Sequence, residues 1–150
     1  MGILANLTDE IKDAMRAKDS LKLEALRAIK TAVIMAQTAT GGGNELDEAE
    51  EIKLVQKLIK QRKDSAQIFR QQNREDLAEP EEAQAKVIAA FLPEQLSQEE
   101  ITDKVVQIIK ETNAQGMKDM GKVMGIASQQ MAGKADGKTI SAIVKSKLMS

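Results

Sequence analysis

The sequence predicts an all-α protein, and three observations carry that prediction. Apolar residues recur at helical spacing in nearly every segment. The only aromatic residues are two phenylalanines, and no segment shows the apolar–polar alternation of a half-buried strand. A Leu92-Pro93 stop stands shortly before a Ser97-x-x-Glu100 capping box. This divides the chain into an N-terminal helical domain, residues 1–96, and a C-terminal three-helix domain, residues 97–150.

Leu4, Leu7, Ile11, Ala14 and Met15 make the apolar stripe of a first helix. Leu23, Leu26, Ile29, Val33 and Ala36 make that of a second, with Asp19 placed to cap it. The Gly41-Gly42-Gly43 run closes that region. Asp47 and Glu50 have the spacing of a capping pair and open a third helix, which continues through Ile52, Val55, Leu58, Ile59, Ala66 and Phe69 towards Gln72. Asn73 breaks it. The fourth helix is expected to hold Pro80 in its first turn, where a missing N–H costs nothing, and to run towards Phe91. Helix 98–112 turns Ile101, Val105, Ile108 and Ile109 inward and ends between Asn113 and Gly116. Helices 117–131 and 137–149 follow, separated by a loop at Gly133, with Asp136 as the cap of the last.

The stretch MAGKADGKT, Met131 to Thr139, contains Ala-x-x-x-x-Gly-Lys-Thr, a relaxed form of the phosphate-binding P-loop. That loop needs a buried parallel strand before it and a helix after it. Ala132 follows a helical pattern instead, so the stretch reads as a tight helix–helix turn and no nucleotide cofactor is expected.

The formal charge is −1 but unevenly spread. Residues 116–150 hold six lysines against Asp119 and Asp136, a net +4, while the first 115 residues hold 16 basic and 21 acidic side chains, a net −5. A basic C-terminal third on an acidic body suits an anionic partner. Cysteine, histidine, tryptophan and tyrosine are absent, which excludes disulfides, thiolate chemistry, an imidazole base and the usual zinc ligand sets. The lack of disulfides fits a reducing cytoplasm. The segment MGILANLTDEIKDAM lacks the pattern of a signal peptide, and no apolar run approaches the roughly 20 residues that cross a bilayer. A soluble cytoplasmic protein with no membrane partner is therefore expected.

Met117, Met120, Met124, Ala127 and Met131 share one helical face, which reads as a core stripe or, more sharply, as an adaptable groove for a partner helix. Lys118, Lys122, Gly125 and Gln129 lie opposite. In the final helix Ile140, Ile143, Val144 and Leu148 point inward, Lys138 and Lys145 project on the far side, and Lys134 stands in the preceding loop. A solvated face is the plainer reading of these five lysines, but few acids accompany them. Glycine inside a helix costs roughly 1 kcal/mol against alanine, so Gly121 and Gly125 call for a reason. Close approach of a phosphate backbone and close approach of another helix both supply one. A second basic stretch, Lys57 to Lys63, has Glu50, Glu51 and Asp64 near enough for helical ion pairs and reads as a solvated face.

KQRKDSAQIFRQQNREDLAEPEEA, FLPEQLSQEEI and GMKDMGKVMGIASQQMAGKADGKTISAIVKSKL together resemble the GatB/YqeY family, in particular its free-standing YqeY-like members. The resemblance covers nearly the whole chain, with the Gly41-Gly42-Gly43 run and Pro80 departing from the family pattern. It implies an all-helical protein whose C-terminal part is similar to the tail domain of the B subunit of glutamyl/aspartyl-tRNA amidotransferase, a domain that helps hold tRNA. The implied partner is tRNA or another structured RNA, with Lys118, Lys122, Lys134, Lys138 and Lys145 on its phosphates. No catalytic residue, metal or cofactor is implied. A label of carbon–nitrogen ligase with glutamine as amido donor would be inherited from context, since the amidotransfer chemistry belongs to other domains. The competing expectation is a protein-interaction adaptor for a synthetase or amidotransferase.

Overall fold

The computed structural model describes residues 2–39 and 45–149, and among them it is all-α, with seven α-helices and no strand. The Gly41-Gly42-Gly43 run lies outside the described residues. The chain divides into two units, Met1–Pro93 and Glu94–Ser150.

The first unit contains α1 (Leu7–Arg16), α2 (Ser20–Ala39), α3 (Glu48–Gln71) and α4 (Glu75–Ala89). A short turn precedes α1, and the Glu51 carboxylate of α3 accepts the Leu4 N–H at 3.0 Å. Asp19 caps α2 by accepting the Lys22 N–H at 3.1 Å. The Asp47/Glu50 capping box of α3 is complete, each side chain accepting the other residue's N–H at 2.8 Å. These caps satisfy amide donors that have no carbonyl partner inside the helix. The α3 and α4 helices form a hairpin, and α2 packs on α1 and α4. Leu26 and Ile29 of α2, Val55 and Ile59 of α3, and Ala85 and Ile88 of α4 make the core, closed by Leu7 and Ala14 of α1. Met15, which its spacing assigns to the α1 stripe, is 52% exposed. The stripe is real, but no neighbouring element covers its end.

The fourth helix corrects the sequence expectation. It begins at Glu75, so Pro80 lies in its second turn rather than its first. Pro80 has no N–H for the Asp76 carbonyl, and its ring crowds that oxygen. Asp76 is exposed, so water can reach the carbonyl. Ion pairs also hold both sides of the proline. Arg70 grips Glu75, with Nε to Oε2 at 3.0 Å, and also Glu82, while Arg74 binds both oxygens of Asp76 at 3.0 and 2.9 Å.

The second unit contains α5 (Gln98–Thr112), a 3-10 turn at Met117–Asp119, α6 (Met120–Gln130) and α7 (Gly137–Met149). Its core comprises Ile101, Val105 and Ile108 of α5, Val123 and Ala127 of α6, Met131 and Ala135 of the turn, and Ile140 and Val144 of α7. MAGKADGKT is the turn from α6 into the first residues of α7, as its sequence suggests. Gly133, buried and at φ 77, takes the left-handed conformation that lets the chain reverse. Two residues ahead of α5 hold this turn: Gln95 donates to the Gly133 carbonyl at 2.7 Å, and the Leu96 N–H donates to the Lys134 carbonyl at 2.8 Å. Asp136 caps α7 by accepting the Thr139 N–H at 2.6 Å.

The Ser97/Glu100 box opens α5. Ser97 Oγ accepts the Glu100 N–H at 3.1 Å, and the Glu100 carboxylate accepts the Ser97 N–H at 3.0 Å. The Ser97 amide, then its hydroxyl, and more weakly Lys104 hold the Glu100 carboxyl below its ordinary value of 4.5. A carboxyl lowered on folding stabilises the fold above its unfolded value, and that contribution is lost as pH falls through the folded value. Glu100→Gln keeps an acceptor oxygen but does not titrate. Urea unfolding at several pH values should therefore show a shallower loss of stability between about pH 5 and pH 3 in the variant. Identical slopes would remove Glu100 from the acid response.

Candidate nucleic-acid interface

The inward side of α6 is set by Val123 and Ala127, both 0% exposed, followed by Met131 beyond the helix end. Met120 and Met124 flank them, partly buried against the same core. Most of the methionine stripe is therefore core. Met117, on the 3-10 turn, is 44% exposed. Val123, unassigned in the sequence, is the centre of this face, and a helical wheel pivoted on it would have shown as much.

That inward face turns Lys122, Gly125 and Gln129 to solvent. On α7, burial of Ile140 and Val144 turns Lys138 and Lys145 outward in the same way. Lys118 stands on the 3-10 turn and Lys134 in the connecting turn. All five lysines are exposed, and none forms an ion pair among the described residues. Both nearby acids are engaged with backbone: Asp119 accepts the Gln115 N–H at 2.9 Å, and Asp136 is the α7 cap.

A Cβ added at Gly121 or Gly125 would meet nothing within 4 Å. Among the described residues, then, no neighbouring helix packs on the bare backbone at these two positions.

The turn brings α6 and α7 together, and the 3-10 turn packs beside α7. Along the chain, Lys118 and Lys122 lie around the start of α6, Lys134 and Lys138 at the turn between the helices, and Lys145 in the second half of α7. Among the described residues no group of three or more Asp or Glu side chains could hold a metal ion, and no helix is long and apolar enough to cross a membrane.

A family model described as Yqey-like protein matches residues 4–148. Over 110 residues the chain is 37% identical to Altered inheritance of mitochondria protein 41, mitochondrial, of Lachancea thermotolerans, which covers 72% of this chain and 58% of that protein. The protein of the same name from Clavispora lusitaniae is 33% identical over 115 residues, 75% of this chain and 65% of its own length. That from Pyrenophora tritici-repentis is 34% identical over 135 residues, 89% of this chain and 73% of its own. The chain thus spans less than two thirds of the first two relatives. Their names overturn the cytoplasmic expectation, since these relatives are named as mitochondrial proteins. The expectation failed because a chain without cysteine forms no disulfide in any compartment, so its composition selects none.

Proposed function

Since the chain belongs to the YqeY-like protein family, we propose that it is a helical accessory protein whose C-terminal lysine face binds tRNA or another structured RNA. The observation that carries this reading is the set of five exposed lysines whose neighbouring aspartates are committed to backbone amides. The resemblance of this unit to the tail domain of the tRNA-dependent amidotransferase supports it. Ammonium groups on phosphates position an RNA without reading its bases. The second unit contains no aromatic residue on which a base could stack, which favours a structured RNA over a flexible single strand. Bare helix at Gly121 and Gly125 leaves room for a sugar–phosphate backbone to approach beside Lys122.

Reversing Lys122 and Lys138 to Glu is the direct test. Neither side chain belongs to the core, so helicity and melting should be nearly unchanged while affinity for total tRNA falls sharply. If about four phosphates are neutralised, log affinity against log salt should slope by roughly −3 to −4 in the wild type and be flatter by about two in the variant. Reversal of Lys57 and Lys60 is the control, and equal losses would mean diffuse attraction rather than a site. Gly121→Ala and Gly125→Ala refine the test, because each should stabilise the helix by up to about 1 kcal/mol. Loss of RNA affinity in these more stable variants would show that the bare backbone is part of the contact. Absence of tRNA binding at low salt would put the adaptor reading first.

A further inference from the structure

The basic stretch Lys57 to Lys63 does not end up as a uniformly paired, solvated face. Glu50 and Glu51, placed by sequence to neutralise it, are bound elsewhere, to the Asp47 and Leu4 amides. Lys60 reaches Asp64 at 3.8 Å. Lys63 instead borders a groove of about 700 Å³ along the α3–α4 hairpin. Ala85 and Ala89 lie along its α4 side, and their small size leaves it open. Lys63 and Arg70 rise from α3, and Lys86 and Glu82 from α4.

The lining carries three cations against one carboxylate. That carboxylate is already engaged: Glu82 is bound by Arg70, which holds it below the ordinary glutamate range, with Lys86 and Lys63 adding to the effect. Arg70 is in turn shared with Glu75. Lys63 and Lys86 are exposed and in no ion pair among the described residues. The groove therefore presents a floor of Ala89 and side-chain methylenes, over buried Ala85, beside two available ammonium groups.

We propose that the α3–α4 groove docks an acidic amphipathic helix of a partner protein. Its small or apolar side chains lie on Ala89 and on the methylene stems of Gln67 and Lys86, and its carboxylates meet Lys63 and Lys86. Charge complementarity selects an acidic partner, and the floor selects between acidic partners. A phosphate backbone gains nothing from this apolar floor and loses hydration over it. An apolar helical stripe gains by covering it, and the small Ala89 allows a second helix to lie close. This site shares no residue with the lysine face of the second unit, so either can fail without the other.

The test is a titration of the full ¹⁵N-labelled chain, followed by NMR, with three probes. One is a synthetic helical peptide bearing an Ala/Leu stripe flanked by Glu, the second is the same peptide with Gln for Glu, and the third is a short RNA duplex. The acidic peptide should shift the amides of Lys63, Gln67 and the Ala85 to Ala89 turn. The Gln peptide should bind at least about tenfold more weakly. Lys63→Glu with Lys86→Glu should lower affinity for the acidic peptide by a similar factor, and so should the groove-filling Ala89→Leu, each checked for an unchanged melting curve. Two variants acting through charge and through space guard against one that merely disturbs the fold. Equal binding of the two peptides, shifts confined to other residues, or tighter binding of the RNA duplex at these residues would overturn the proposal. Concentration-dependent shifts of the groove without any probe would also overturn it, in favour of a second copy of the chain.

Discussion

Leu26→Ala is expected to destabilise the first unit by about 3 kcal/mol, within the roughly 2–5 kcal/mol that buried leucine truncations cost. Leu26 is 0% exposed and lies on α2, which packs against both α1 and α4. Truncation removes the transfer free energy of the lost atoms and leaves a cavity. The α3–α4 hairpin, held by its own packing and by the Arg70 ion pairs, is poorly placed to collapse into that space. Against a total stability on the order of 5–15 kcal/mol, the loss is large. The chain has no tryptophan or tyrosine, so urea unfolding should be followed by far-UV circular dichroism. Met35→Ala is the matched control: the side chain is 65% exposed, and its loss should stay within about 0.5 kcal/mol. Similar losses at both positions would mean that the core is not where the structure puts it.

Pro80→Ala should do the reverse and stabilise the same unit by roughly 2 kcal/mol. A proline inside a helix costs about 3 kcal/mol against alanine, and restoring the N–H gives the Asp76 carbonyl a partner again. Loss of the proline's restriction on the unfolded chain takes back up to about 1 kcal/mol. For a unit of this size the gain corresponds to a rise in melting temperature on the order of 10 °C. Amide exchange between Ala78 and Glu82 should slow at the same time. A lower melting temperature would show that α4 is shaped around Pro80 and that its ring makes contacts worth more than the missing hydrogen bond.

The features legible in the sequence are those whose cause is local. Asp47 with Glu50, and Ser97 with Glu100, sit three residues apart and form the boxes their spacing requires. Both limits of α5, at Ser97 and Asn113, and the start of α7 at Asp136 follow from caps within a few residues. Exposure of Lys122, Lys138 and Lys145 follows from the burial of Val123, Ile140 and Val144 on the opposite faces of two amphipathic helices.

Pro80 misled because the preference for a helix's first turn is statistical. The ion pairs of Arg70 with Glu75 and Glu82, made across the α3–α4 turn, and the local pair of Arg74 with Asp76 support the proline further in. Met15 and Met117 fall on apolar stripes yet remain exposed, since periodicity finds a face and cannot say how far a neighbour extends along it. The α3–α4 groove was hidden for a related reason. Lys63 and Lys86 meet only when the hairpin closes, and the acids that should have neutralised the stretch are drawn away by amides at Leu4 and Asp47.

The bonds from Gln95 and Leu96 to the Gly133–Lys134 turn bear on how such a unit travels between proteins. A gene fusion carrying only the three helices, from Ser97 onward, would leave both turn carbonyls without their donors. Gly133 is buried, and an unpaired polar group there costs about 1–3 kcal/mol. The turn that displays Lys134 would loosen along with it. The unit that keeps this turn paired therefore starts at Glu94, where the chain divides, directly after Leu92-Pro93.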